Sequence, residues 1–459
     1  MIKKAKSIQE IYNEVKDYDL VLTVDAPLRS ALDRLSKRPK LGIWAMTPKE
    51  LATKYAPKTI GNFVKSKYEI VIDISRKLHT NIKQVHYYVD QLLNLWKING
   101  KLDNISESLN NEGRKVFNVL IDLPTLNLAI SKFDPSIIDD NNIAVIGLDF
   151  FNQLDKSVLP NKFDKIDIFT DETYDLSNFY AFSSENDLVD RLVDLINEDN
   201  ADDLAIVLDP ESSYLPLIRS KLKNKGIPLT IDEYLRDHFQ VRSFLALINL
   251  GLNYTNLTVK DIAHFTDIFS FNVDDDKYSF FLSEYLSSNP DNQELNEFCD
   301  LIYNIANTTY KNLIDHLLDN NVSLPYDLLD VIYRLSFADR TIDFESYTEL
   351  TYCIENLEIE IETNRNKNGV LLVNCKNSAY IDRPVCFYVG LDTSWDRGSK
   401  NETIVENDEE EKKEIDLFQI LIQQGTIRYY FVSTIKDNQP VVPCYYFNML
   451  FGREIGDFT

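Results

Sequence analysis

The residues of this chain whose types and spacing could carry chemistry lie in a strand-loop-strand segment, Gly369 to Gly390. Two apolar runs, Val370–Val373 and Val385–Val389, indicate buried strands. Because α/β folds place ligands at the carboxyl ends of parallel strands, cations and an aromatic ring in the intervening loop suit contact with a phosphate backbone and a base. The alternative is a structural loop that closes a vacant cleft beside the sheet. The polar loop residues concerned are Asn374, Lys376, Tyr380 and Arg383.

Two basic clusters stand out in a chain whose formal net charge is −25. For the first cluster, an ordinary solvated loop and contact with phosphate beside a strand-to-helix turn both remain open. For the second, a solvated helix face is the preferred interpretation. The first cluster is Arg34, Lys37, Arg38 and Lys40, and the second is Arg219, Lys221, Lys223 and Lys225.

The remaining reactive residue types lack the spacing that catalysis or metal binding requires. The five cysteines are scattered without a C-x-x-C pair, which predicts buried thiols rather than zinc ligands or disulfides. The five histidines show no ligand-like spacing, and no serine lies in a G-x-S-x-G context. The phosphate-binding string G-x-x-x-x-G-K-[ST] is also absent from the sequence. We therefore expect no metal, no cofactor and no ATP hydrolysis.

Composition predicts a folded protein of several domains, because 459 residues that are 44% hydrophobic suffice for sizeable cores. The strongly negative charge argues against non-specific coating of nucleic acid, although a local basic groove remains compatible with it. No run approaches the roughly 18 apolar residues of a membrane span, and no apolar run follows the basic N-terminal residues. The sequence thus predicts a cytosolic protein without a membrane partner.

Strand and helix patterns alternate in blocks along the chain. Helical periodicity dominates 57–133 and 240–362. The order of sheet, helical insert, sheet, larger helical insert and sheet predicts an α/β fold in which helical segments interrupt the sheets. Strands are expected near 20–25, 41–46, 143–147, 166–170, 179–182, 204–208, 228–231, 370–374, 385–389 and 429–433.

Segment Gly369 to Gly390 resembles the fifth motif of superfamily 1 helicases of the UvrD/Rep type. In that motif a strand opening Gly-Val leads into a loop that contacts nucleotide and DNA, and a second strand ends in Gly. Val21–Leu35 and Trp44–Ala52 are similar to the strand-and-helix elements that follow the phosphate loop of these motors. Asp203–Pro210 and Gly226–Pro228 resemble the opening of the second motor domain.

This resemblance implies two RecA-like, P-loop NTPase-like domains with parallel sheets, each interrupted by a helical insert. The implied divisions are a first RecA-like domain at 1–56 and 134–162, a helical insert at 57–133, a second RecA-like domain at 163–239 and 366–459, and a second insert at 240–365.

The chain departs from an active motor at the positions that act on ATP. The strand expected to supply the magnesium ligand and the water-polarising Glu leads to Asp149, which is followed by Phe150. At the turn where the motors carry Thr-Arg-Ala, Ile435 occupies the arginine position. The N-terminal residues predict a helix, Ile8–Val15, in place of the P-loop strand. These differences imply a degenerate motor.

The same pattern is similar to the B subunit of AddAB-type helicase-nucleases and to the related RecC, whose helicase-like domains scaffold the complex and line a DNA path. The resemblance implies a non-catalytic subunit in DNA repair or recombination, partnered with a superfamily 1 helicase or a PD-(D/E)xK nuclease subunit and with DNA, single-stranded by preference. Two alternatives stay open, a protein-interaction scaffold that binds no DNA and a divergent nucleotide-binding helicase or nuclease component. The implied DNA contacts are Arg34, Lys37, Arg38, Lys40, Thr47, Asn374, Lys376, Tyr380 and Arg383.

Overall fold

The computed structural model describes residues 1–36, 44–59, 64–102, 109–139, 141–230, 235–356, 369–376, 379–396, 408–436, 439–452 and 458. It is a mixed α/β protein with parallel sheets. The chain separates into two compact units, a sheet unit (1–66, 87–231 and 364–459) and a helical unit (67–86 and 232–363). The finer division into four segments expected from the sequence stays a prediction.

The strands of the sheet unit form two parallel sheets and two small antiparallel pairs. Numbered along the chain, they are β1 Ile2–Ala5, β2 Leu20–Leu22, β3 Ala45–Met46, β4 Ile143–Ile146, β5 Asp164–Ile166, β6 Phe169–Tyr174, β7 Phe179–Phe182, β8 Leu204–Leu208, β9 Leu229–Thr230, β10 Val370–Asn374, β11 Val385–Val389, β12 Ile427–Ser433, β13 Ile435–Lys436 and β14 Gln439–Pro440. The four-stranded sheet has the order β3-β2-β4-β5 and the six-stranded sheet the order β7-β12-β11-β8-β10-β9, with every pairing parallel.

The helices fall in both units, and the boundary between the units lies within α5. Those at the start of the chain are α1 Ile8–Val15, α2 Ala26–Leu35, α3 Pro48–Thr59, α4 Lys67–Leu78, α5 Ile82–Asn99, α6 Asn111–Leu120, α7 Leu126–Ser131, α8 Gln153–Lys156, α9 Glu185–Asp194 and α10 Tyr214–Asn224. They are followed by α11 Phe239–Leu252, α12 Val259–Ile262, α13 Thr266–Phe269, α14 Leu282–Ser288, α15 Gln293–Asn304, α16 Tyr310–Asp319, α17 Tyr326–Arg334, α18 Phe344–Asn356, α19 Asp408–Leu421 and α20 Tyr445–Phe451. Among the described helices, none combines the length and apolarity needed to cross a bilayer.

The six-stranded sheet has an apolar core on each face. All five residues of β8 are buried, which is typical of a parallel strand covered on both sides. Since successive side chains of a strand point to opposite faces, Phe387 and Phe431 contribute to one core while Tyr388 and Tyr430 contribute to the other. The two tyrosine rings stack with centroids 5.1 Å apart. This double packing fixes the strand ends on which loop residues are carried.

Several expected elements have the expected bounds, including helix Ile8–Val15 and strands 204–208 and 370–374. The sequence predicted only a helix before the first strand, and here it was incomplete, because the structure adds β1. This strand pairs antiparallel with β6, Ile2 opposite Tyr174, in a separate two-stranded sheet. Its Ile-Lys-Lys-Ala sequence carries little strand propensity, so the pairing depends on a partner about 170 residues away in the chain.

The helical unit contains a buried carboxylate that holds two cations. Glu349 is 3% exposed and accepts a hydrogen bond of 2.9 Å from Nε of Arg76. Arg340 pairs with the same Oε2 atom. Both guanidinium groups also lie over the ring of Phe337. Because a buried charge must be paired, these contacts tie α4 to α18 within the unit.

Candidate functional site at the carboxyl ends of the strands

The loop after β10 begins with a side chain that organises its own backbone. Asn374 Oδ1 accepts a hydrogen bond of 2.9 Å from the backbone amide of Lys376, forming an Asx-type turn. Lys376 Nζ then lies 3.3 Å from the carboxylate of Asp209, which follows β8 and is 6% exposed. The Lys376 side chain is 31% exposed and already has a buried counter-ion. A phosphate would therefore compete with Asp209 for this cation.

The next part of the loop is bound to the four-stranded sheet. Asp25, which follows β2 and caps α2, accepts hydrogen bonds from the backbone amides of Ala379 (3.0 Å) and Tyr380 (3.3 Å) through one carboxylate oxygen. Its other oxygen accepts the amide of Leu28 at 2.7 Å. One carboxylate thus caps a helix of the first sheet and holds a loop of the second, which joins the carboxyl ends of the two sheets.

Tyr380 lies inside the core that this junction creates. Its side chain is 1% exposed and packs with residues of α1, α2 and the four-stranded sheet. Its hydroxyl donates a hydrogen bond of 3.3 Å to the carbonyl of Lys6. Burial, with the nearby charges of Asp25 and Glu10, raises the pKa of this phenol well above its ordinary value. Stacking on a base, the role expected for Tyr380, would require the ring to leave this core.

Arg34 meets the same loop through an ion pair. It pairs with Asp382, and the two side chains are 36% and 42% exposed. Burial and the charge of Arg383 lower the pKa of Arg34 from its ordinary value. Arg383 donates from Nη1 to the carbonyl of Asp382 at 3.2 Å. Arg34 is thus engaged in an ion pair within the protein, whereas Arg383 bonds to the carbonyl of its sequence neighbour.

Thr47 has a structural role in the conformation observed. It is buried at the start of α3, where its hydroxyl accepts the Glu50 amide at 3.2 Å and its own amide donates to the Glu50 carboxylate at 2.8 Å. This reciprocal pattern is a capping box. Of the remaining expected DNA contacts, Lys37, Arg38 and Lys40 lie outside the described residues.

Asp149, the position expected for a magnesium ligand in an active motor, lies in a turn after β4. Gly147 adopts φ +63° there, and a 3-10 turn follows. The Asp149 side chain is 81% exposed and lies 3.3 Å from Lys165 Nζ. Within the ranges that the structure describes, no group of three His, Cys, Asp or Glu side chains has the arrangement of a metal site.

A polar cluster that sequence reasoning missed lies at the carboxyl ends of the six-stranded sheet. Lys436, in β13 just beyond β12, lies 3.5 Å from Glu185 and 3.9 Å from Asp392. Its Nζ is also 5.6 Å above the ring of Tyr214. Asp392 is 5% exposed and follows β11, while Glu185 begins α9 after β7. Three strand ends therefore converge on one lysine.

Two buried hydroxyls at and just before the start of α10 make no hydrogen bond, and one of them belongs to the Tyr214 ring of this cluster. They are Oγ of Ser212 and the phenol oxygen of Tyr214, which lies close to Ser433 without completing a bond to it. The Ser433 hydroxyl instead donates to the Ile435 carbonyl at 2.7 Å. Burial, followed by the charges of Asp392 and Glu185, raises the pKa of Tyr214 above its ordinary value. The cluster can thus hold a proton on a phenol beside a lysine and two carboxylates.

The sequence did contain a signal for this cluster. Each of Glu185, Asp392 and Lys436 follows a strand by three residues, and parallel strands bring such positions to one edge. The spacing along the chain is too long for a local motif to reveal it. Only the strand order, with β7 and β11 flanking β12, places these residues together.

Comparison of the sequence with protein-family models and with curated proteins finds no match in either. The helicase resemblance therefore depends on the segments and positions quoted above.

Proposed function

We propose that this chain is a non-catalytic, helicase-like subunit of a DNA repair or recombination complex, with two degenerate RecA-like sheets. The observation that carries the proposal is the loop resembling the fifth helicase motif, which joins the carboxyl ends of two parallel sheets through Asp25. In the resembled motors the corresponding loop contacts nucleotide and DNA. Here the loop backbone is bound by Asp25 and the Tyr380 ring is buried against the four-stranded sheet. A loop held in this way is expected of a scaffold rather than of a motor whose domains move.

The residues at the ATP-acting positions support the absence of hydrolysis. Asp149 is exposed and paired with Lys165, and Phe150 follows it. Ile435, at the position of the arginine, is 48% exposed and cannot stabilise charge on a phosphoryl group. Phosphoryl-transfer enzymes place a metal, a water-orienting group and a cation around the γ-phosphate. Asp149 keeps the position of the metal ligand, but the water-orienting group and the cation have no candidate among the residues aligned with the motifs.

ATP hydrolysis tests this half of the proposal directly. Purified protein, with and without single-stranded DNA, should release no phosphate from ATP above background. An active superfamily 1 helicase measured in the same assay supplies the positive control. A DNA-stimulated turnover near 1 per second, at the low end for phosphoryl-transfer enzymes, would contradict the proposal.

A salt titration tests whether DNA follows the expected route. If Arg34, Lys37 and Arg38 contact phosphates, their joint change to Ala should flatten the log-log salt slope for single-stranded DNA by about two units, since each contact contributes roughly 0.7. The change should leave the fold intact, because the half-exposed Arg34–Asp382 pair is worth at most about 1 kcal/mol. The matched control is Lys221→Ala with Lys223→Ala on α10. Equal flattening by both sets would mean diffuse attraction rather than a groove.

A second candidate function, a protein-interaction scaffold that binds no DNA, is favoured by the charge pairing at the loop. Lys376 and Arg34 each have a carboxylate partner, and the whole chain carries −25. The two candidates separate on one result, the binding of single-stranded DNA at low salt. Absence of binding, both alone and with a captured helicase or nuclease partner, would favour the scaffold. Binding that falls with salt as described above would favour the DNA-guiding subunit.

A further inference from the structure

A pocket of about 510 Å³ opens in the sheet unit at the amino ends of β11 and β12. Its walls are the N-terminal segment 4–10, the residues 381–384 that lead into β11, and the turn 423–428 that leads into β12. It therefore lies at the opposite edge of the six-stranded sheet from the candidate site described above. Its volume falls in the range of pockets that hold small molecules.

The charge of this pocket is opposite to that of the protein. The described residues that line it include four cations, Lys4, Lys6, Arg383 and Arg428. They include two carboxylates, Glu10 and Asp382. A positive concavity in a chain of net charge −25 concentrates anions locally, since low-dielectric walls focus the field.

Both carboxylates of the lining are already occupied. Glu10 accepts hydrogen bonds of 2.7 Å from the backbone amide and from the hydroxyl of Ser7, in the capping box of α1. These bonds hold the pKa of Glu10 below its ordinary value. Asp382 pairs with Arg34. Neither acid is therefore directed to the four cations as its main partner.

The two lysines have partners that a ligand can replace at low cost. Lys4 pairs with Glu172, whose side chain is 67% exposed. Lys6 pairs with Glu14, whose side chain is 41% exposed. The Lys4 pair is exposed on both sides and contributes little to stability, because water competes for both charges. Lys6 is 17% exposed, so water competes mainly for its partner Glu14.

The two arginines have donors without acceptors. Arg428 donates from Nη1 to the carbonyls of Gln423 (3.2 Å) and Gly425, and its guanidinium lies over the ring of Tyr174. Arg383 donates from Nη1 to the carbonyl of Asp382. The Nε atoms of both arginines are buried and make no hydrogen bond. Because these two atoms are shielded from solvent, an anion in the pocket would accept instead from the Nη groups, which carry four of the five N–H donors of each guanidinium.

We propose that this pocket binds a phosphate monoester with an attached organic group of nucleoside size. A guanidinium group can donate two parallel hydrogen bonds to the oxygens of one phosphate, and lysine ammonium groups attract the same phosphate electrostatically. The ring of Tyr174 and the side chain of Ile8 provide apolar wall for the organic part. The monoester could belong to a free mononucleotide or to the 5′ end of a DNA strand, and these share the chemistry that the pocket recognises. The inference does not depend on the helicase-like function.

Calorimetry with deoxyadenosine 5′-monophosphate tests the proposal. The unaltered full chain should bind it, and Lys4→Gln with Lys6→Gln should weaken binding by at least about tenfold, since bonds to charged groups are lost. Arg383→Gln should weaken it by a similar factor. The matched control is Lys221→Gln with Lys225→Gln, which removes two lysines that also form surface pairs, with Asp190 and Asp194. The control should bind as the unaltered protein does.

Two further probes assign the source of the phosphate. A 5′-phosphorylated oligonucleotide that binds more tightly than the mononucleotide, and than its 5′-hydroxyl counterpart, would assign the site to strand ends. Binding of the mononucleotide without a gain from the oligonucleotide would assign it to free nucleotide. Absence of mononucleotide binding, equal loss in pocket and control variants, or inorganic phosphate binding as tightly as the mononucleotide would overturn the proposal. Circular dichroism of each variant verifies the fold.

Discussion

Changing Tyr380 to Ala should destabilise the sheet unit by about 3–5 kcal/mol, the usual cost of replacing a buried aromatic ring by a methyl group. The ring is 1% exposed and joins α1, α2 and the four-stranded sheet to the loop after β10. Urea unfolding followed by tryptophan fluorescence measures this cost selectively. The reason is that Trp44, Trp96 and Trp395 are all buried in the sheet unit and are the only tryptophans of the chain.

Two further variants separate packing from other effects. Tyr380→Phe removes only the hydrogen bond to the Lys6 carbonyl and should cost about 0.5–1.5 kcal/mol. Tyr87→Ala, at a ring that is 55% exposed in the same unit, should change stability by less than about 0.5 kcal/mol. If Tyr380 instead stacked on a DNA base, its change to Ala would lower DNA affinity by about 1–3 kcal/mol and leave stability nearly unchanged. A destabilisation below about 1 kcal/mol would refute the packing argument.

Three other measurements follow from buried groups. Glu349→Gln should destabilise the helical unit by about 3–5 kcal/mol, because two arginines lose their carboxylate partner. Glu345 is exposed, so Glu345→Gln should have little effect. Equal urea midpoints of the two variants, measured by far-UV circular dichroism, would contradict this. All five cysteines are buried, and burial raises the pKa of Cys353 and Cys386 to about 12. The native protein should therefore resist a disulfide reagent at pH 8, and protein unfolded in urea should show five reactive thiols. These thiols, and phenols such as Tyr388, hold their protons more tightly in the folded protein than in the unfolded chain. Their contribution to the free energy of unfolding is therefore fully present below about pH 8 and should decrease above about pH 9. A urea midpoint unchanged between about pH 8 and 10 would contradict this linkage.

Much of the parallel-sheet framework could be predicted from the sequence because its strands are short apolar runs between polar turns. Strands β8, β10 and β11 are of this kind, and their observed bounds are the expected ones. Such runs carry their own signal, since a strand buried on both faces must be apolar throughout. Helix α2 could be predicted as well, because Ala26–Leu35 has apolar residues at helical spacing.

What the sequence did not reveal depends on contacts between distant residues. Strand β1 exists through its pairing with β6, and neither partner has the composition of a core strand. The polar cluster around Lys436 requires the strand order of the six-stranded sheet. Tyr380 follows the same rule, because a tyrosine in a polar loop looks exposed until Asp25, 355 residues earlier, binds the loop backbone.

The position of a loop at the carboxyl edge of a parallel sheet is therefore not sufficient to locate a ligand in this protein. At that edge, Asp209 already neutralises Lys376, and Asp25 holds loop amides from which a phosphate would otherwise accept hydrogen bonds. At the opposite edge, Lys4 and Lys6 pair with Glu172 and Glu14, whose side chains are 67% and 41% exposed. A cation binds a ligand at lower cost when its present partner is exposed, since water already competes for that pair. By this criterion we expect the pocket beside β11 and β12 to bind anions more readily, although α/β folds usually place ligands at the carboxyl ends of their strands.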